Sequence, residues 1–186
     1  MRNFIIEQFY KQRSDFEKSC VEREQKYPLP DGVKCTENIA YAADDKEHRL
    51  DVYRPESMKG KVLPIVINVH GGGLLLGNKE FNRGFCALLC KKGFLVYSME
   101  YRLVPDCKIF DQFRDVFSAM NFVKEHAVED GGDLSHVYMV GDSGGACLIT
   151  YTNAIQNNRK IAQAAGVRPS DLKVNCLLYT SDAADD

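Results

Sequence analysis

The fold of this chain is decided by residues 62–73, which read VLPIVINVHGGG. The first eight residues are almost continuously apolar, a pattern typical of a strand buried on both faces, as in a parallel sheet. This run leads directly into three glycines. Residues 137–145, VYMVGDSGG, have the same arrangement of a short apolar run followed by a glycine-rich turn. We therefore expect two buried strands whose carboxyl ends carry glycine loops.

The segments around these two runs alternate between extended and helical patterns. The apolar spacing predicts strands over 62–70, 94–99 and 137–140 and helices over 81–89, 113–123 and 146–156. Such alternation predicts an α/β fold with a mostly parallel sheet and right-handed crossovers.

The N-terminal part of the chain has a different organisation. Residues 1–27 have loosely helical apolar spacing, and the sequence PLPDG at 28–32 ends the predicted helix. Residues 35–41 and 49–53 alternate between apolar and polar side chains. They predict an antiparallel hairpin whose turn lies at 44–46.

Length and charge restrict the class of protein. The chain has 186 residues, enough for one domain, and its 24 Lys and Arg against 26 Asp and Glu give a net charge of −2. Without a basic excess, we expect neither nucleic acid nor an anionic membrane as a partner. No run reaches the roughly 20 apolar residues that a membrane span needs. The first residues lack the pattern of a signal peptide, so we expect a cytoplasmic location.

The cysteines and histidines do not indicate a metal site. The seven cysteines include no C-x-x-C pair, and the four histidines do not stand at ligand spacing. We expect no metal and mostly buried thiols, with Cys147 in the core rather than acting as a nucleophile. No nucleotide cofactor is expected either. The glycines of 70–73 lack the Lys-Ser/Thr ending of a phosphate-binding loop, and Leu76 stands where a dinucleotide motif needs glycine.

Each glycine motif fits a catalytic and a purely structural interpretation. Backbone amides in the HGGG segment at 70–73 could bind an oxyanion, or the segment could be an ordinary glycine-rich turn. The G-x-S-x-G segment at 141–145 lies between a strand and a helix. That is the context of a nucleophile elbow, although a simple strand-to-helix turn has the same pattern.

Together the two motifs resemble the α/β-hydrolase family, in its hormone-sensitive-lipase-like esterase branch. The segment YRLVPD at 101–106 is similar to the Y-R-L-x-P-E segment of that branch, with Asp106 in place of Glu. The segment DVYRP at 51–55 also looks like the family. The serine motif departs from the usual G-D-S-A-G-G, because Gly144 and Ala146 replace Ala and Gly. The resemblance implies the α/β-hydrolase fold.

The resemblance also implies roles for individual residues. Ser143 matches the nucleophile, and the oxyanion-hole donors match the backbone amides of Gly72, Gly73 and Gly144. His70 matches a histidine that shapes the loop and is not the catalytic base. The other residues expected to shape the two motifs are Gly71, Gly141, Asp142 and Gly145. We expect Arg102 to form a partly buried ion pair, with Asp142 or Asp51 as its partner.

The function implied is that of a serine carboxylic-ester hydrolase without a cofactor, acting on a small-molecule ester with a short acyl or acetyl group. An amidase or peptidase on the same fold is one alternative. A hydrolase-like binding protein without catalysis is another. The oligomeric state is left open.

The catalytic acid and base are absent from this chain. In the family they follow the nucleophile, whereas no histidine follows Ser143. We therefore expect an N-terminal fragment that is inactive alone, with 1–34 as a helical or cap segment and 35–175 as a partial hydrolase core. Residues 172–175 are expected to begin a sixth strand within which the core is truncated. Residues 176–186, CLLYTSDAADD, resemble a translated sequencing-library adapter, so a non-native tail is expected, with a natural acidic C-terminus as the alternative.

Overall fold

A computed structural model describes residues 2–42 and 47–180. The strands are β1 Val33–Ala40, β2 Arg49–Pro55, β3 Leu63–Val69, β4 Leu95–Met99, β5 Gly132–Asp142 and β6 Cys176–Thr180. The helices are α1 Arg2–Lys26, α2 Arg83–Lys91, α3 Ile109–His126, α4 Gly144–Asn157 and α5 Arg159–Ala165. A short 3₁₀ helix, Lys79–Asn82, precedes α2. No helix in the described ranges is long and apolar enough to cross a bilayer.

The six strands form one mixed sheet in the order β1-β2-β4-β3-β5-β6. β1 pairs antiparallel with β2, and β2 pairs antiparallel with β4, while β4, β3, β5 and β6 are mutually parallel. The predicted mostly parallel α/β sheet and the N-terminal hairpin are therefore confirmed. The turn predicted at 44–46 lies outside the described residues. Because β3 and β5 are parallel neighbours, with Val69 opposite Gly141, their glycine loops leave the same edge of the sheet.

Helices cover both faces of the sheet, as buried parallel strands require. On one face, Ile65 and Val69 of β3 belong to an apolar cluster that includes residues of α3 and α4. On the other face, Val66 of β3 belongs to a second cluster, which includes Cys86 and Cys90 of α2. Apolar side chains therefore point to both sides of β3, which explains its nearly continuous apolar run.

The last strand lies later in the chain than predicted. Residues 172–175 are irregular, with Leu172 buried, and β6 begins only at Cys176. Asn175 accounts for the delay, because its side chain accepts a hydrogen bond from the Val137 amide at 2.8 Å. Residues 176–180 form the edge strand, and 181–186 lie outside the described residues. The non-native origin of residues 176–186 and the division of the chain into 1–34, 35–175 and 176–186 stay predictions.

The prediction that Arg102 pairs with Asp142 or Asp51 was wrong. Its guanidinium binds Asp115 of α3 at 2.6 Å and does not contact Asp142 or Asp51. The Asp115 side chain, almost fully buried, also accepts from the Arg102 amide at 3.0 Å and lies 3.0 Å from His48 Nε2. The hydrogen bonds from Arg102 to Asp115 raise the pKa of Arg102 above its ordinary value.

The expectation for the thiols is met at some cysteines and not at others. Cys20, Cys86 and Cys90 are buried, and burial raises the pKa of Cys86 to about 12, so this thiol stays protonated and unreactive. The placement of Cys147 in the core was wrong. It lies on the exposed side of α4 because the buried positions there are taken by Leu148 and Ile149.

A buried ion pair fixes the segment between β3 and α2. The ammonium of Lys79 lies 2.9 Å from the Asp51 carboxylate of β2 and also contacts Glu80. Burial lowers the pKa of Lys79, but Asp51 and Glu80 outweigh burial and raise it overall. Lys79 therefore stays charged, and the Asp51 carboxylate compensates its buried positive charge.

We expect Asp51→Ala to lower the free energy of unfolding by about 3–5 kcal/mol, because it leaves the Lys79 ammonium buried with less compensation. Urea unfolding of the full-length protein measures this change. Asp171→Ala is the control, since it breaks the exposed pair with Lys124 and should cost less than about 1 kcal/mol. Equal losses in the two variants would contradict the prediction.

Candidate active site

Ser143 occupies a sharp turn between β5 and α4. Its φ of 46° and ψ of −114° are strained for a residue with a side chain, and Ser143 is exposed. The turn requires small neighbours. A Cβ atom on Gly145 would lie 2.1 Å from the Val69 carbonyl oxygen, and one on Gly141 would lie 2.7 Å from the Gly145 carbonyl carbon. The glycines therefore allow α4 to start directly against the end of β3, with the serine facing outward.

The HGGG segment lies against the start of α4. A Cβ atom added to Gly144 would come within 2.9 Å of the Gly73 amide nitrogen. Gly72 has a φ of 120°, and a Cβ there would lie 2.2 Å from the Leu76 carbonyl oxygen. Only glycine fits Gly72 without moving the loop. The structure thus brings the Gly73 and Gly144 backbones together beside Ser143.

The direction of each loop amide follows from the carbonyl group in the same peptide unit. A trans peptide is planar, so its C=O and N–H groups point in opposite directions. The Gly71 carbonyl oxygen lies 2.8 Å from His70 Nδ1, and the Gly72 carbonyl accepts from the amides of Leu75 at 3.1 Å and Leu76 at 2.9 Å. These bonds fix the two peptides and turn the Gly72 and Gly73 N–H groups to the opposite side.

The Gly144 amide is oriented in the same way by α4. The Ser143 carbonyl accepts from the Cys147 amide at 3.1 Å, the first hydrogen bond of the helix. Within residues 2–42 and 47–180, the amides of Gly72, Gly73 and Gly144 donate to no protein acceptor. Unpaired amide donors next to an exposed serine are the arrangement needed to bind an oxyanion.

His70 is a buried support of this loop. Its ring stacks on Tyr101 at a centroid distance of 4.3 Å, and the Tyr101 hydroxyl donates to the His70 carbonyl oxygen at 2.8 Å. Burial raises the pKa of Tyr101 well above its ordinary value, so the phenol keeps its proton and donates. His70 Nε2 lies 3.0 Å from Glu100 Oε1. With both ring nitrogens engaged away from Ser143, the ring supports the loop.

Asp142 points away from the serine and ties the loop to β5. Its Oδ1 accepts from the Gly71 amide at 3.0 Å and from Asn82 Nδ2 at 2.7 Å. Asn82 also lies 3.4 Å from Asn68 Oδ1 of β3. Asp142, which was predicted to shape the motif, thus contacts both the loop and the segment before α2. Asn82 was missed, because nothing in its sequence context distinguishes it from a surface residue near a helix start.

Gln112 of α3 is a second support that sequence reasoning missed. Fully buried, it donates from Nε2 to the carbonyl oxygens of Leu74 at 3.0 Å and Arg102 at 2.8 Å. Leu74 follows the glycines with a φ of 69°, so its backbone needs external support. One signal was present in the sequence. Gln112 lies one position before the apolar stripe of α3, and a polar side chain is seldom buried unless it has a hydrogen-bond partner.

The four histidines of the chain all have partners other than Ser143. His70 and His48 face Glu100 and Asp115, respectively. His126 Nδ1 bonds the Phe122 carbonyl at 2.9 Å, and His136 bonds Asp133 at 2.7 Å. None of these four contacts places a histidine ring nitrogen on Ser143, and the absence of a catalytic base from this chain stays a prediction. The described residues also contain no cluster of three or more His, Cys, Asp or Glu side chains able to hold a metal ion.

Comparison with known proteins agrees with this geometry. The model of the BD-FAE family matches residues 50–181, which include both glycine motifs. The chain belongs to the BD-FAE family. Its members are hormone-sensitive-lipase-like α/β-hydrolases, so the resemblance predicted from the motifs is confirmed.

Curated relatives are named as esterases. A probable isoprenylcysteine alpha-carbonyl methylesterase of Arabidopsis thaliana is 30% identical over 138 residues, covering 74% of this chain and 29% of the relative. A 3-O-acetylpapaveroxine carboxylesterase of Papaver somniferum is 32% identical over 120 residues, covering 55% of this chain and 38% of the relative.

A solved structure confirms the fold. Esterase B from Lactobacillus rhamnosis, with a tributyrin phosphonate, superposes with a TM-score of 0.89 at 25% identity, covering 96% of this chain and 58% of that chain. This BD-FAE chain therefore spans about a third of these curated relatives and little more than half of the solved esterase.

We expect Gly72→Ala to lower kcat by about 10²–10³, the loss typical of a missing oxyanion donor. Gly72 has a φ of 120°, and a Cβ there would lie 2.2 Å from the Leu76 carbonyl oxygen, so the substitution would turn the loop amides away from the site. Steady-state ester hydrolysis by the full-length protein measures the effect. Gly84→Ala is the control, because a Cβ there meets no atom within 4 Å. An unchanged kcat in Gly72→Ala would contradict the assignment.

Proposed function

We propose that the whole protein is a serine carboxylic-ester hydrolase in which Ser143 is the nucleophile. The observation that carries the proposal is the strained, exposed Ser143 beside unpaired loop amides. The amides of Gly72, Gly73 and Gly144 would bind the oxyanion. Named esterases among the relatives support the same reaction class.

In the acylation step, Ser143 Oγ attacks the ester carbonyl carbon and its proton passes to a general base. The carbonyl π electrons move to oxygen, and the three amides stabilise the resulting negative charge. When the tetrahedral intermediate collapses, the bond to the alkoxy oxygen breaks. The protonated base returns the proton to the leaving alcohol, and an acyl-Ser143 ester remains.

Deacylation repeats these events with water. The base removes a proton from water, the hydroxide oxygen attacks the acyl carbon, and the same amides hold the second oxyanion. The bond to Ser143 Oγ then breaks, Oγ regains a proton, and a carboxylic acid leaves. The base and its acidic partner are proposed to lie outside the described residues.

Small-molecule esters with short acyl or acetyl groups are the proposed substrates. The name of the Papaver somniferum relative specifies an acetyl ester, and the esterase B structure carries a tributyrin phosphonate. Both support a short acyl group. The cytoplasmic location and the absence of nucleic-acid partners stay predictions, the first from the N-terminal sequence and the second from the charge balance.

We expect the full-length protein to hydrolyse p-nitrophenyl acetate faster than the matched p-nitroacetanilide, because an amide is the poorer acyl donor and the relatives are named as esterases. Ser143→Ala should abolish this turnover. A preference for the anilide would favour the amidase or peptidase alternative. No Ser143-dependent turnover of either substrate would favour a non-catalytic binding protein.

The 186-residue chain alone should not be labelled by a fluorophosphonate at Ser143. A serine without a base is a weak nucleophile, and the described histidines face other partners. Mass spectrometry of the probe-treated chain measures the labelling, with the full-length protein as the positive control. Labelling of both at similar rates would show that the chain contains a base.

A further inference from the structure

Glu100 contacts the oxyanion loop through His70. It follows β4, its side chain is mostly buried, and its Oε1 lies 3.0 Å from His70 Nε2. Its second oxygen, Oε2, accepts from the Lys79 amide at 3.0 Å. Both carboxylate oxygens are thus engaged, one by the ring and one by the 3₁₀ turn before α2.

The proton positions on His70 follow from its two partners. The Gly71 carbonyl oxygen can only accept, so Nδ1 carries a proton and donates to it. At Nε2 a ring nitrogen faces a carboxylate oxygen, and two bare acceptors at 3.0 Å would repel each other. A proton therefore lies between Nε2 and Oε1, and this hydrogen bond holds the ring from the side opposite Gly71.

The effect reaches the oxyanion donor through one rigid peptide. The Gly71 carbonyl group and the Gly72 N–H group belong to the same planar peptide unit. His70, which fixes the direction of the carbonyl oxygen, therefore also fixes the direction of the N–H. We propose that Glu100 is a positioning residue for ester hydrolysis, which sets the direction of the Gly72 amide through His70. This inference rests on the proposed function.

The ring loses its anchor when Glu100 cannot bind Nε2. His70 is fully buried, so an unpaired Nε2 carries a desolvation cost, which favours movement of the ring away from Gly71. Glu100→Met, similar in size, removes both hydrogen bonds. Glu100→Gln preserves them: its carbonyl oxygen accepts from Lys79, and its NH₂ group donates to Nε2 of a ring protonated at Nδ1.

The test is hydrolysis of an ester and its thionoester by the full-length protein. Sulfur is a poor hydrogen-bond acceptor, so the ester-to-thionoester ratio of kcat/KM reports on the oxyanion hole. We expect Glu100→Met to lower kcat on the ester at least about tenfold with little change in KM, and to lower the ratio, because the hole acts mainly in the transition state. Glu100→Gln should keep kcat within about threefold of wild type and keep the ratio.

Two further variants make the test decisive. Asp130→Asn is the matched control, a partly buried carboxylate at the other end of β5 that accepts from the Tyr97 hydroxyl at 2.6 Å, and it should leave the ratio unchanged. If Glu100→Met fails to fold, Glu100→Asp replaces it. Its shorter side chain cannot reach both His70 and Lys79, so it should also lower the ratio.

The outcomes separate this inference from the proposed function. Wild-type turnover that is absent or unaffected by Ser143→Ala would overturn the proposed function and the inference with it. Ser143-dependent turnover, with the wild-type ratio retained in folded Glu100→Met or Glu100→Asp, would overturn the inference alone. A ratio lowered equally in Asp130→Asn would also overturn it, because the effect would then be general destabilisation.

Discussion

The close approach of Gly145 to the end of β3 is the constraint on which the site depends. A single methyl group at Gly145 would collide with the Val69 carbonyl oxygen, so α4 can start where it does only with glycine there. That contact places the first turn of α4 beside the HGGG segment and brings two backbone stretches about 70 residues apart into one site. The strain at Ser143 persists because β5 and α4 are held on both sides of it.

Polar side chains complete what the glycines begin. Glycines give the loop freedom, and a flexible loop would not hold donors in a fixed direction. His70, Asp142 and Gln112 each bind a backbone group of the loop, and each is supported by a different element of the fold. The glycines therefore allow the loop many backbone conformations, and the surrounding side chains hold it in one, as the proposed preorganised oxyanion site requires.

The architecture could be predicted from the sequence because buried strands and helices carry a recognisable pattern of apolar residues. The nearly unbroken apolar run of β3 is typical of a strand buried on both faces, and the glycines after β5 are typical of a strand-to-helix turn. The order of strands and helices followed from these patterns. The partner of Arg102 could not be chosen in the same way. Asp142 and Asp51 were the two partners considered, whereas the path of the chain after β4 brings Asp115 of α3 within reach.

The supports of the loop were harder to predict for the same reason. Asn82 and Glu100 each make two hydrogen bonds to residues distant in the sequence, and such contacts leave no periodic pattern in the chain. The start of β6 was misplaced because a side-chain contact, from Asn175 to the Val137 amide, occupies the position where strand pairing was expected. The exposure of Cys147 likewise depends on how α4 is rotated against the sheet.

The proposed oxyanion donors are divided between two strands, which links the proposed chemistry to folding. Gly72 and Gly73 follow β3, whereas Gly144 follows β5, and α2, β4 and α3 lie between these strands in the chain. No local segment contains all three amides, so they come together only when this long-range parallel pairing is complete, and contacts of this kind form slowly. Only the tertiary structure brings these amides together. A partly folded chain that exposes Ser143 would therefore not stabilise an oxyanion beside it.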